Sequence, residues 1–296
     1  MPAHVLVAFD GAPQSESALL YAFDAFPDAS ITVITVADVL GDPTIDDDPL
    51  AVQRDELEAR CESVLAEAES LAADRGREIE TAVRLGVPHR DIVEHAAESD
   101  VDHVVLGGHG RTSVDHPFLG SVSEAVVRRA PVATTLVPLD PESYRELDLD
   151  GSVLVPVDGS PAATGALEYA VSTFPSADPT ALHVVGLPFE YSASELEDSP
   201  FKRILAGLTE RGEAVLESTV DEAAVGNATV ETALTYGKPP QSIVDYALDY
   251  AFDQVVMGIH GRPSRRRILT GSVAETVARR AEFPVTFVRR PSDRND

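Results

Sequence analysis

The stretch LGVPHRDIVEHAAESDVDHVVLGGHGR at 85–111 recurs as YGKPPQSIVDYALDYAFDQVVMGIHGR at 236–262. Two more blocks recur in the same order: residues 5–23 match 153–171, and residues 119–137 match 270–288. The second copy lies 148 residues after the first in the earliest block and 151 residues after it in the later two, so it contains a small insertion. Repetition over about 150 residues is typical of a duplicated domain rather than a solenoid.

The repeat sets the expected domain limits. The matched blocks predict a first domain at 1–139 and a second domain at 152–290. A polar and acidic linker at 140–151 joins them, and a tail follows at 291–296. The linker prediction rests on the composition of DPESYRELDLDG, and the tail is short and polar.

Short β-branched runs alternate with helical patterns in each copy. The pattern predicts strands near 4–9, 31–37, 78–83, 102–107 and 132–138 in the first copy, and near 152–157, 180–186, 228–234, 254–258 and 284–289 in the second. It predicts first-copy helices near 13–26, 50–75, 88–99 and 121–130. Five strands alternating with helices predict an α/β fold with a parallel sheet, and right-handed crossovers place helices on both of its faces.

Composition excludes several classes of function. The formal charge of -27 makes non-specific binding of nucleic acid unfavourable. Almost all the basic residues are Arg, and a strongly acidic chain with two lysines is typical either of a halophile cytoplasm or of an ordinary acidic protein. No stretch approaches the roughly 18 apolar residues of a membrane helix, so we expect a cytoplasmic protein with no membrane partner. The single cysteine, Cys61, falls on an apolar helical stripe and is expected to be buried.

The glycines after the fourth predicted strand carry the clearest chemical signal. Both copies have the spacing Gly-x-x-Gly-(x9)-Gly-Ser, at Gly107, Gly110, Gly120 and Ser121 and again at Gly258, Gly261, Gly271 and Ser272. Glycines allow the backbone to approach phosphate oxygens, and the start of the following helix favours anions. The alternative is a pair of turns that need glycine for conformational reasons alone. Identical spacing in both copies favours a phosphate site, and the pattern differs from a Walker A loop and from a Rossmann G-x-G-x-x-G.

Two aspartates stand at the end of the first strand of each copy. Asp10 and Asp158 are each followed by Gly and then by a helix start. A carboxylate at this place could accept from ribose hydroxyls or help to hold Mg²⁺, or it could cap the following helix. The position alone leaves both interpretations open.

At these motifs the sequence closely resembles the universal stress protein family, whose ATP-binding members carry the same glycine spacing, and the resemblance covers nearly the whole chain. It implies two Rossmann-like domains with a five-stranded sheet of order 3-2-1-4-5 and a site for ATP or another adenine nucleotide with Mg²⁺. The residues implied at the sites are Asp10, Val36, Leu106, Gly107, Gly110, Gly120, Ser121 and Val122 in the first copy, and Asp158, Val184, Met257, Gly258, Gly261, Gly271, Ser272 and Val273 in the second. Asp10 and Asp158 would also contact the metal. The resemblance further implies an internal pseudo-dimer through 132–137 and 285–290, with a homodimer and an unidentified protein partner as further possibilities.

The two glycine loops differ between their fixed positions. The second contains Arg265, Arg266 and Arg267, whereas the first contains Asp115, so we expect the second site to hold phosphates more strongly. An exposed turn with counter-charges elsewhere on the protein is the alternative for the arginines. His109 and His260 lie inside the loops and need not be catalytic.

These features favour binding over turnover. No second carboxylate is tied by spacing to Asp10 or Asp158, and the sequence has no nucleophile elbow or metal-ligand motif. We therefore expect an ATP-binding stress-response or regulatory protein, with no catalytic residue assigned. A nucleotide-independent interaction module, a slow ATPase and an adenylating enzyme are the alternatives.

Overall fold

A computed structural model describes residues 1–38, 50–108, 120–138, 140–145, 147–149, 151–187, 202–226, 228–259 and 272–289, without side-chain placement for 50–54 and 272. The chain divides into two compact units, Met1–Leu147 and Asp148–Asp296. Much of each glycine loop, including Gly110, Gly261 and Gly271, lies outside the described residues, as do the second-copy arginines and both loop histidines.

The first unit is a parallel sheet covered by helices. Its strands are β1 His4–Ala8, β2 Ser30–Asp38, β3 Glu80–Gly86, β4 His103–Gly107 and β5 Ala133–Val137, in the order β3-β2-β1-β4-β5. Its helices are α1 Pro13–Ala25, α2 Leu50–Asp74, α3 Pro88–Glu98, α4 Ser121–Arg129 and the short α5 Pro141–Tyr144. Every strand pairing within the unit is parallel.

The second unit repeats this architecture. Its strands are β6 Ser152–Pro156, β7 Asp178–Val185, β8 Glu231–Tyr236, β9 Gln254–Ile259 and β10 Val285–Arg289, in the order β8-β7-β6-β9-β10. Its described helices are α6 Pro161–Thr173, α7 Lys202–Glu222, α8 Pro239–Asp249 and α9 Ser272–Arg280. The predicted α/β fold and the order 3-2-1-4-5 are confirmed in both copies.

Strand register is the same in the two units. Val5 lies opposite His103 in the first, and Val153 lies opposite Gln254 in the second. Thr32 lies opposite Glu80, and Thr180 lies opposite Glu231. The offset is 148 on the first two strands of each unit and 151 from the third strand onward, which places the insertion between β7 and β8.

The core of each unit lies on the central strands and the helix faces that cover them. Leu6 and Leu154, on the middle strands, are fully buried. Cys61 on α2 is buried as predicted, and burial raises the pKa of its thiol. Within the described ranges, polar residues interrupt even the longest helices, and none of these helices could span a membrane.

Part of the predicted linker is helical. Asp140 caps α5 by accepting from the N–H groups of Glu142 and Ser143, each at 2.9 Å, and these bonds lower the pKa of its carboxyl. Tyr144 is buried and its hydroxyl donates to Asp24 Oδ2 at 2.7 Å, so α5 is attached to α1. Burial and this carboxylate raise the pKa of Tyr144. The domain limits drawn from the sequence stay a prediction.

A buried histidine is expected to make the first unit acid-sensitive. His103 is fully buried, its Nε2 lies 2.8 Å from Thr135 Oγ1, and burial lowers its pKa to about 3. The folded unit accommodates only the neutral ring, whereas the unfolded chain takes up a proton at the ordinary pKa of about 6.5. The stability contributed by His103 is therefore complete above a pH of about 6.5. As the pH falls from about 6.5 toward 3, the free energy of unfolding decreases by up to about 1.4 kcal/mol per pH unit. His103→Gln removes this dependence, and Gln254 already occupies the equivalent buried position of the second unit.

Acid unfolding followed by circular dichroism measures the effect. We expect H103Q to move the acid midpoint of the first unit to lower pH than in the wild type. A midpoint that does not move would show that other groups dominate acid unfolding.

Candidate functional site

A cavity of about 250 Å³ opens at the carboxyl end of the second sheet. It lies where β6 and β9 diverge, which is the position where open parallel sheets bind ligands. Its walls are mostly apolar, with a carboxylate, a hydroxyl and an imidazole among them. The lining residues are Pro156, Val157, Asp158, Ser160, Ala163, Leu182, His183, Val184, Pro239, Ile243, Met257, Gly258, Val273 and Ala274.

This cavity brings together site residues that the sequence places far apart. Predicted residues from four segments line it: Asp158 after β6, Val184 on β7, Met257 and Gly258 on β9, and Val273 on α9. Ser272 is the first residue of α9, and its side chain is not described. Every second-copy residue predicted at the site and described with its side chain therefore lines the same cavity.

The predicted first-copy residues hold the equivalent places in their own unit. Val36 lies near the end of β2, and Leu106 and Gly107 end β4. Gly120 is the N-cap of α4, which begins at Ser121 and Val122. The N–H of Gly120 donates to Gly108 O at 3.0 Å, and Ser123 Oγ donates to Gly107 O at 2.8 Å. These bonds fasten the start of α4 to the end of β4.

The first glycine of each motif is required by packing. A Cβ added at Gly107 would lie 2.8 Å from the carbonyl carbon of Gln14 on α1. At Gly258 it would meet the carbonyl group of Ala162 on α6 even more closely, and it would lie 2.9 Å from Ala163 N. The structure thus gives these glycines a packing role, because they let a helix rest against the fourth strand of the repeat. That they also admit phosphate oxygens stays a prediction.

The two aspartates shape the turn that enters the first helix of each unit. Asp10 Oδ1 accepts from Ala12 N at 3.0 Å, and Asp158 Oδ1 accepts from Ser160 N at 3.0 Å. Neither is the helix N-cap, since Ala12 and Ser160 hold that position. Both aspartates are exposed, and Asp158 lines the cavity. Asp158 therefore both forms the turn and lines the cavity.

The predicted site contains no residue from the helix that closes one side of the cavity. Pro239 and Ile243 on α8 line it, and Ile243 is almost fully buried. The signal was present in the repeated stretch 236–262, because Pro88 and Ile92 occupy the equivalent positions of the first copy.

Backbone N–H and C=O groups near the end of β7 face the site. The N–H of Val157 donates to Leu182 O at 2.8 Å, so the polar groups of Leu182 face β6. Backbone groups two residues apart on a strand face the same neighbour, hence those of Val184 point to the same side. Strand β6 ends at Pro156, so it does not extend far enough to pair with Val184. Val36 stands in the same relation to β1, since Phe9 N–H donates to Ile34 O at 2.9 Å.

Within the part of the chain with assigned structure, protein side chains alone do not form a metal site. Those residues contain no group of three or more His, Cys, Asp or Glu side chains able to hold a metal ion. Asp158, beside the cavity, could supply one carboxylate to a metal whose other ligands come from a bound molecule.

A sequence profile of the universal stress protein family matches residues 1–138 and 151–289. The universal stress protein Rv2005c of Mycobacterium tuberculosis is 29% identical over 233 residues, covering 75% of this chain and 72% of the relative. The crystal structure of a universal stress protein from Archaeoglobus fulgidus superposes with a TM-score of 0.71 at 23% identity, covering 97% of this chain and 98% of that chain. A family member from Arabidopsis thaliana, whose structure has AMP bound, covers 49% of this chain and 95% of its own at 20% identity and a TM-score of 0.36.

Proposed function

This chain belongs to the universal stress protein family, and from that membership we propose that each half binds an adenine nucleotide, with ATP favoured, and that the protein acts in stress response by binding rather than by turnover. The observation that supports the proposal most is the cavity of the second unit, where predicted residues from four segments converge. The first half carries the equivalent residues in the same register.

The cavity suits a purine base. Leu182, Ile243 and Met257 are buried apolar residues on its walls, and such walls favour a flat aromatic ring. The backbone of Val184 supplies a donor and an acceptor at the edge where a base would need them. A volume of about 250 Å³ is slightly below the roughly 300 Å³ at which pockets begin to enclose a drug-sized ligand. The base would therefore be enclosed while ribose and phosphates extend toward the mouth.

The mouth suits the charged part of a nucleotide. Val273 in the first turn of α9 lines the cavity, so the N-terminal end of that helix and its partial positive charge face it. Asp158 would hold a ribose hydroxyl or a Mg²⁺ ion shared with the phosphates. When bound, Mg²⁺ would neutralise part of the phosphate charge beside this acidic residue.

Regulation by binding would act through partners. A bound nucleotide would change the surface that the loops around the site present, and a protein partner could read this change. The internal pairing of 132–137 with 285–290, a homodimer and the partner itself remain predictions of the family resemblance.

A cytoplasm of high salt is the proposed environment of this acidic chain. With a net charge of -27, self-repulsion is expected to destabilise the protein at low ionic strength. Raising KCl from about 0.1 M to about 1 M shortens the Debye length from about 10 Å to about 3 Å. We expect Tm to rise by several degrees over this range in a calorimetric scan. An unchanged or falling Tm would favour an ordinary acidic protein.

Identification of a co-purified ligand tests the proposed function. Protein purified in high salt is denatured, and the released small molecules are identified by mass spectrometry. We expect an adenine nucleotide. Protein that releases none, and that stays empty at millimolar ATP, would favour a nucleotide-independent interaction module.

A further inference from the structure

In each half, one side chain donates to the carbonyl oxygen that directly follows the first strand of the unit. The Thr35 hydroxyl donates to Phe9 O at 2.7 Å, and Nδ1–H of His183 donates to Val157 O at 2.8 Å. The imidazole proton is assigned to Nδ1 because a carbonyl oxygen only accepts. Thr35 and His183 are equivalent residues of the two copies. Since a hydroxyl and an imidazole make the same bond, the bond rather than either side chain is the shared feature.

This bond replaces a rung of the sheet. Because Phe9 N–H donates to Ile34 O, a regular parallel ladder would continue with Val36 N–H donating to Phe9 O. Among the described residues that rung is absent, and the side chain of Thr35 donates to the oxygen instead.

The second unit is built in the same way. Val157 N–H donates to Leu182 O, and His183 takes the place that Val184 N–H would have on Val157 O. The pairing of β7 with the segment after β6 therefore ends before Val184, the residue whose backbone faces the cavity.

Helix α7 makes room for the imidazole. A Cβ added at Gly212 would lie 2.9 Å from His183 Cδ2 and 2.8 Å from Leu234 Cδ1. Glycine at this place thus allows the ring to lie between α7 and the end of β6. Fixing the ring from both sides holds Nδ1 on the Val157 carbonyl.

We propose that Thr35 and His183 are positioning residues of the two nucleotide sites. By occupying the carbonyl that directly follows the first strand of its unit, each stops the ladder and leaves the N–H of Val36 or Val184 to an acceptor nitrogen of the bound base. Each also fixes the peptide that leads into Asp10 or Asp158. This inference rests on the proposed nucleotide binding.

Variants that remove the donor test the proposal. Thr35→Val and His183→Val each delete the side-chain hydrogen bond, and each is expected to weaken ATP binding at its own site by about tenfold in a two-site titration. The matched control is His183→Thr, which installs the first copy's residue and is expected to bind like the wild type. Thr35→Ser should also retain affinity. Wild-type affinity in both Val variants, or equal losses in H183T and H183V, would overturn the proposal.

Amide exchange gives a readout that needs no variant. In the wild type without nucleotide, the Val36 and Val184 amides are expected to exchange quickly, and ATP should slow them by about tenfold or more. Equal protection with and without ATP would overturn the positioning role. If ATP binds but changes neither amide exchange rate, and the variants keep the wild-type affinity, only this inference fails. If the wild type binds no nucleotide, the proposed function fails and this inference fails with it.

Discussion

Val273→Trp is expected to lower the affinity of the second site for ATP by about 100-fold or more, which corresponds to about 2.8 kcal/mol. Val273 is half-buried and lines the cavity from the first turn of α9. An indole at this position gains by burial against the apolar walls, and it then fills the cavity from its mouth, which leaves no room for the nucleotide. Isothermal titration calorimetry measures the loss.

The duplicated chain supplies the control. Val122 is also half-buried, in the first turn of α4, and Val122→Trp should block the first site alone. Each single variant should bind one nucleotide per chain, and the double variant should bind none. The chain contains no natural Trp, so a blue-shifted emission in V273W would show independently that the indole is inside the cavity. An indole buried in this way with undiminished ATP binding would contradict the proposed site.

Gly258→Ala is expected to destabilise the second unit by about 3 kcal/mol, which would lower its Tm by roughly 6–12 °C. The added methyl group would collide with the carbonyl of Ala162 and with Ala163 N, and both atoms are backbone. A side chain could rotate away, but relief here requires α6 to move off β9. Differential scanning calorimetry measures the shift.

Another glycine of the same unit gives the matched control. Gly165 lies within α6, and a Cβ there would meet nothing within 4 Å. Gly165→Ala is therefore expected to stabilise the unit by about 0.5–1 kcal/mol through helix propensity. If G258A were as stable as the wild type, the packing explanation of this glycine would be wrong, and its role would have to come from a ligand.

The fold was largely predictable because its central strands are buried on both faces and read as unbroken apolar runs. Edge strands were placed less well. The strand predicted near 78–83 is Glu80–Gly86, and the one predicted near 228–234 is Glu231–Tyr236. Both are exposed or half-exposed throughout, so no apolar run marks where they begin. Helix α5 was missed although Asp140 followed by Pro141 is a typical N-cap and first-turn pair.

For the candidate site, the sequence predicts which positions are involved but not which contacts their side chains make. Repetition of the glycine spacing and of Asp10 as Asp158 indicated where to look. It could not show that Gly258 serves helix packing, because the colliding atoms of Ala162 lie about a hundred residues away in sequence. Nor could it show that His183 donates to Val157, since a histidine on an apolar strand has many possible partners.

We propose that this duplicated chain contains two adenine-nucleotide sites. A calorimetric titration of the nucleotide-free protein with ATP and Mg²⁺, in high salt, counts them. We predict saturable binding of two nucleotides per chain, reduced to one by either V122W or V273W. No saturable heat at millimolar ATP, or binding that both substitutions together leave unchanged, would show that the two sites are not nucleotide sites.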